Sequence, residues 1–134
     1  MDATTLDPAK LDELRAALLE RREQVQGELD QLNEELRTLG VDQENERGGL
    51  GNHLAEDGSN VTEQERILRV SGDLQDIMVQ VDEALERMDE GTYGLCRRCG
   101  KPINPERLEA FPYVAYCIDC QSLLEREQAL RQGR

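Results

Sequence analysis

Leu11, Leu18, Val25, Leu32 and Leu39 recur every seven residues, and Ile67, Leu74, Val81 and Met88 repeat that interval further along the chain. A seven-residue apolar period keeps one narrow stripe facing a partner as two helices wind around each other. Each run therefore reads as a coiled-coil helix rather than a generic amphipathic one. Leu14, Leu29 and Leu36 fill intermediate positions of the first stripe, and Val70, Ile77 and Ala84 form a second series beside the other. In an antiparallel hairpin, facing residues have a constant index sum. Leu11 with Met88, Leu18 with Val81, Val25 with Leu74 and Leu32 with Ile67 all sum to 99. One register thus closes both stripes inside a single chain. This favours an intramolecular hairpin, and a monomer, although heptad periodicity also permits shifts by seven. A parallel dimer of long helices is the structural rival.

The ends of these helices carry their own signals. Asp7 followed by Pro8 is a capping residue and then a residue preset for the first helical position. Gly40 is a natural interruption, and Asn60 with Glu63 three residues on resembles a capping box for the second helix. Gly91 ends it. The midpoint of the register falls in "ERGGLGNHLAEDGSN", so a tip loop is expected near residues 41–60, with part of "VDQENER" prolonging the first helix. Gly48, Gly49 and Gly51 would make the turn. Gly27 and Gly72 also sum to 99 and read as tolerated surface glycines at one level of the hairpin.

A narrow seam also suits the composition. Only 3% of the 134 residues are aromatic, with no Trp and one Phe, which is little for a compact globule. The net charge of -13 repels bare phosphate backbones, so direct, sequence-specific DNA contact is not expected. An acidic surface can still be steered into the basic channel of a nucleic-acid enzyme. The N-terminal "MDATTLDPAK" has no apolar core of a signal peptide, and no apolar run reaches membrane-spanning length. A cytoplasmic setting without membrane association is expected, where cysteines serve metals more often than disulfides.

All four cysteines fall in the last third, as "CRRC" (Cys96, Cys99) and "CIDC" (Cys117, Cys120). Two C-x-x-C pairs at this separation suit one tetrahedral four-thiolate Zn(2+) site. Four thiolates leave no position open for a substrate, so the ion would be structural; iron held by the same ligands is the alternative. The first pair sits in a knuckle between "GTYGL" and "GKPI". "RLEAFPYVAY" reads as short extended strands, and "IDCQSLLEREQALRQ" as a helix with Asp119 near its start. The fold class expected is therefore mainly α: a long antiparallel helical hairpin over 1–91, then a small treble-clef-like four-cysteine zinc finger with a C-terminal helix over 92–134. Arg97, Arg98, Lys101, Arg107 and Arg126 make the finger's charge mixed rather than basic, without the stacking aromatics of a nucleic-acid binder.

The hairpin, the finger spacing and the segments "GTYGLCRRCGKPI", "RLEAFP" and "CIDC" together resemble the DksA/TraR family, over roughly residues 50–125 by motif and the first helix by architecture. The resemblance implies a transcription regulator that binds RNA polymerase directly and inserts its coiled-coil tip into the secondary channel to modulate initiation. The family pattern at the tip is D-x-x-D-x-A. The matching positions here are His53, Glu56 and Gly58, with Asp57 as an adjacent acid. Glu keeps the charge on a longer arm, and Gly removes a methyl and loosens the backbone. The family also holds ppGpp partly with basic residues. The corresponding positions are Gln80, Phe111 and Gln121, so little binding at the zinc-finger/arm interface is expected.

No nucleophile and base accompany the lone His53, so an independent enzyme is not expected. Two other readings stay open at this point. Glu56 and Asp57 could assist transcript cleavage by holding a magnesium ion in the polymerase, as Gre-type factors do. Alternatively, the chain is a coiled-coil adaptor with a structural zinc and no polymerase role.

Overall fold

The computed structural model describes residues 6–45 and 50–132, with side chains described outside 41–45 and 50–59. Helix α1 spans Pro8–Asn45 and α2 spans Leu50–Glu90; the short α3 (Pro105–Ala110) and α4 (Ile118–Gln132) follow. The Asp7 carboxylate accepts the Lys10 backbone N–H at 2.8 Å, so the start of α1 is capped as its sequence predicts. The end of α2 is a Schellman turn. Gly91 takes φ +81°, its N–H donates to the Met88 carbonyl, and the Thr92 N–H donates to the Arg87 carbonyl.

The start of α2 differs from expectation. The helix begins at Leu50, α1 continues to Asn45, and Asn60 lies inside α2 rather than capping it. The loop expected over 41–60 is thus helical at 41–45 and 50–60; Gly48 and Gly49 lie outside the described residues. Glu63, released from a capping role, forms a two-point pair with Arg66 at 3.0 and 2.9 Å. The physical reason is cooperativity. Each interior glycine costs about 1 kcal/mol relative to Ala, but extending an existing helix avoids the cost of a new nucleus.

The chain forms two compact units: Met1–Arg22 with Val79–Arg134, and Glu23–Met78. In the first, Leu14, Leu18, Val81 and Ala84 are buried between the helices, and Leu11 and Met88 line one small cavity. Two interhelical ion pairs flank this seam, Arg15–Asp89 and Arg22–Asp82, each at 2.8 Å. Both sum to 104. A seam sum of 99 requires that value for residues four past the seam on α1 and one past it on α2.

In the second unit, Val25, Leu29, Leu32, Ile67 and Leu74 form the core, with Leu36, Leu39, Val70, Ile77 and Met78 packed on it. The register partners Val25 with Leu74 and Leu32 with Ile67 share this cluster. Each buried Leu or Ile contributes about 1.5–3 kcal/mol of transfer free energy. Ser71 of α2 is also buried, a polar residue that the apolar pattern passes over. An added Cβ at Gly27 or Gly72 would meet no atom within 4 Å, in keeping with surface glycines.

"RLEAFPYVAY" is not a pair of strands. Among the described residues, the only β pairing is an isolated antiparallel bridge between Leu95 and Pro102. Asn104 accepts the Glu106 N–H at 2.9 Å, and Pro105 sits at the first helical position, so the first four residues of the motif, Arg107–Ala110, belong to α3 and the rest follows it as a turn and irregular chain. Leu108 is its buried anchor, and Glu109 pairs with Lys10 of α1.

Candidate metal centre

The segment after α3 joins no sheet: it turns at Pro112–Tyr113, where Val114 N donates to Phe111 O at 3.1 Å, and several of its other carbonyls find donors elsewhere. The Tyr93 hydroxyl donates to Pro112 O at 2.8 Å, and Arg107 Nε donates to Tyr116 O at 3.1 Å. The Arg97 backbone N–H donates to Ala115 O at 2.8 Å, and Arg87 Nη2 makes a longer contact of 3.5 Å to Val114 O. A buried carbonyl without a donor is costly, so these contacts determine the path that brings Cys117 to the first cysteine pair. Tyr93 is buried, and burial raises its phenol above the ordinary tyrosine range while Arg87 opposes the shift. Arg87 is also buried; burial and the Arg97 charge both lower its pKa.

The first pair sits on a knuckle. The Leu95–Pro102 bridge closes its base, Cys96 N donates to Lys101 O at 2.8 Å, and Gly100 N donates to Cys96 O at 2.9 Å. Gly100 has φ +77°, a left-handed conformation in which a side chain would be strained. The second pair straddles the start of α4. Gln121 N donates to Cys117 O at 2.9 Å, and Cys120 lies in the first turn. Unpaired N–H groups at a helix start favour thiolates.

These elements bring Cys96, Cys99, Cys117 and Cys120 together, with all four sulfurs within 4.8 Å of one another. The Cys99 and Cys117 sulfurs are 3.9 Å apart. Tetrahedral ligands at about 2.3 Å from zinc lie roughly 3.8 Å from each other, so the set fits one ion. The electrostatics agree. Burial works against the Cys96 thiolate, but the backbone N–H groups of Cys99, Cys117 and Arg98 outweigh it and bring its pKa to about 6. Cys120 is pushed up to about 12, first by burial and then by the neighbouring cysteines, against the pull of Arg98. Four adjacent thiolates ionise together only with a cation between them, which one zinc ion supplies. With every coordination position taken by sulfur, the zinc is structural.

The four cysteines singled out in the sequence are the ones the fold brings together. The sequence reading missed Arg87, Tyr93 and Arg107 as donors to the loop carbonyls; "RLEAFP" and "GTYGL" were singled out as motifs, but their partners lie 9 to 27 residues away. It also missed a cleft of 440 Å³ beside Cys96, lined by Glu83, Arg87, Glu90 and Arg97 among others, in which Glu83 and Arg97 pair at 3.5 Å. His53, Glu56, Asp57 and Gly58 belong to the helical backbone of α2, and their side chains lie outside the described residues.

Comparison with known proteins follows the same division. Residues 91–126 match the family described as "Prokaryotic dksA/traR C4-type zinc finger". General stress protein 16O of Bacillus subtilis is 36% identical over 77 residues, 58% of this chain and 47% of that protein. The RNA polymerase-binding transcription factor DksA of Caulobacter vibrioides is 32% identical over 79 residues, 59% of this chain and 56% of that protein. The matches thus span about half the length of these curated relatives. The solved structure of transcription factor DksA2 from Pseudomonas aeruginosa superposes with a TM-score of 0.74 and 31% identity, covering 96% of this chain and 92% of that one.

Proposed function

Because the chain belongs to the DksA/TraR family, we propose that it is a transcription regulator that binds RNA polymerase directly. The observation that carries this reading is the likeness to DksA2 along nearly the whole chain, helical hairpin and finger alike. In this reading the hairpin end bearing His53, Glu56, Asp57 and Gly58 enters the secondary channel of the polymerase and modulates initiation. The net charge of -13 suits a basic channel and opposes DNA. Glu56 and Asp57 supply the carboxylates that approach the catalytic centre, where hard cations take oxygen ligands. The protein works by contact, as a cytoplasmic monomer without sequence-specific DNA recognition. Among the described residues, no helix is long and apolar enough to cross a membrane.

The reading includes independence from ppGpp at the finger and arm. Gln80 and Phe111 are exposed and uncharged, and the Gln121 amide donates to Glu125 at 3.0 Å. A polyphosphate needs charge-assisted donors, and these three positions offer no cation.

In vitro transcription with the host's polymerase at an unstable ribosomal-type promoter tests this. The zinc-loaded protein changes the lifetime of the open complex, and ppGpp leaves that change as it was. Glu56→Ala with Asp57→Ala abolishes the effect but keeps polymerase affinity. An unchanged lifetime, together with no competition against a known channel binder, overturns the reading.

A further inference from the structure

Arg98 lies between the two cysteines of the first pair, yet its guanidinium reaches the second. Nη1 donates to Cys120 Sγ at 3.8 Å, and Nη2 lies 3.8 Å from Glu127 Oε2. Glu127 follows Cys120 by seven residues, two turns along the same face of α4. One planar group thus touches a ligand of the other pair and a carboxylate further down the same helix. Among the described residues, it is the only side-chain cation hydrogen-bonded to a cysteine sulfur. Its neighbour Arg97 is turned elsewhere, toward Glu83.

Four thiolates on one Zn(2+) carry a net charge of about -2, with the excess on sulfur. An N–H donor to a bound thiolate withdraws part of that density and holds the ligand's orientation; losing such an outer partner typically costs about 10–100-fold in metal affinity. Arg suits the task better than Lys, because its rigid fork serves sulfur and carboxylate at once.

We propose that Arg98 is a positioning residue of the zinc centre: it holds the Cys120 thiolate in place and, through Glu127, latches α4 to the knuckle, so that zinc is retained. The role concerns the metal site alone and does not depend on the polymerase reading.

Zinc transfer from the full-length loaded protein to an excess of chromogenic chelator tests it. Arg98→Ala weakens zinc affinity by about 10–100-fold and speeds release accordingly. Arg98→Lys, which keeps the charge without the fork, falls between that variant and wild type. Glu127→Gln shows a smaller rise in release rate. Cobalt-loaded protein supplies a readout that packing alone would not move. The sulfur-to-cobalt charge-transfer band shifts to lower energy in Arg98→Ala, because a thiolate without its N–H donor gives up an electron more easily. Wild-type release rates overturn the proposal. So does faster release with an unshifted cobalt band, which would make Arg98 a packing residue only. If Arg98→Ala takes up no metal, Arg98→Lys and Glu127→Gln decide, and wild-type release and bands in both overturn it.

Discussion

The unit carrying the finger and the unit Glu23–Met78 follow the same heptad period in sequence but reinforce their helix packing differently. Around Leu18 and Val81 the flanking positions hold Arg15–Asp89 and Arg22–Asp82. In Glu23–Met78 the equivalent positions on α1 are Leu29 and Leu36, which join the apolar cluster. Exposed ion pairs are worth about 0–1 kcal/mol each, whereas a buried leucine contributes about 1.5–3 kcal/mol. Glu23–Met78 therefore draws on apolar area. The finger unit draws on metal ligation and on donors aimed at loop carbonyls, which discriminate among chain paths more than they add stability. The difference teaches that one repeat can be stabilised by two kinds of chemistry, and each kind fails under its own perturbation.

Removing a zinc ligand breaks the comparison most strongly. Cys117→Ser abolishes stoichiometric zinc and unfolds the finger, because binding energy and folding energy are coupled in such a site. Amide exchange would rise across Tyr93–Cys120 while the core around Val25, Leu32, Ile67 and Leu74 keeps its protection. Loss of protection in both regions would mean that the zinc stabilises more than its own unit.

A cavity in the apolar unit acts in the opposite sense. Ile67 is fully buried, and Ile67→Ala costs about 2–5 kcal/mol in denaturant unfolding. Zinc content should stay at one equivalent. Tyr93→Phe is milder. Losing the hydroxyl that serves Pro112 O costs about 1 kcal/mol at neutral pH. The folded phenol's pKa is raised, so its contribution is fully present below the unfolded value of about 10 and is lost as pH climbs through the folded one. Alkaline titration of stability should show that loss in the wild type and not in the Phe variant.

Gly27→Ala and Gly72→Ala sharpen the picture from the stabilising side. Neither Cβ meets a neighbour, so each should raise stability by about 0.4–1 kcal/mol in thermal unfolding. The smallest effect belongs to the exposed pair. A double-mutant cycle on Arg22 and Asp82 should give a coupling of about 0.2–1 kcal/mol that fades as salt is added.

Much of the candidate site was legible because its signals are local. The C-x-x-C spacing singled out the four cysteines that the fold gathers, and the Asp7–Pro8 and Gly91 signals marked the helix ends they were expected to mark. Other signals were outweighed. The Asn60 cap lost to continuation of a helix already begun at Leu50, and the strands expected in "RLEAFPYVAY" lost to the Asn104 cap and Pro105. The carbonyls of Pro112, Val114, Ala115 and Tyr116 are served instead by Tyr93, Arg87, the Arg97 backbone and Arg107, a solution with no periodic trace.

By itself the sequence determined the seam, its register and the identity of the metal ligands, because a seven-residue period and a two-residue spacer impose geometry wherever they occur. Only the tertiary structure decided that Arg98 turns to Cys120 while Arg97 turns to Glu83. Two adjacent arginines are indistinguishable in sequence, and what separates them is which side chain the folded knuckle aims at sulfur.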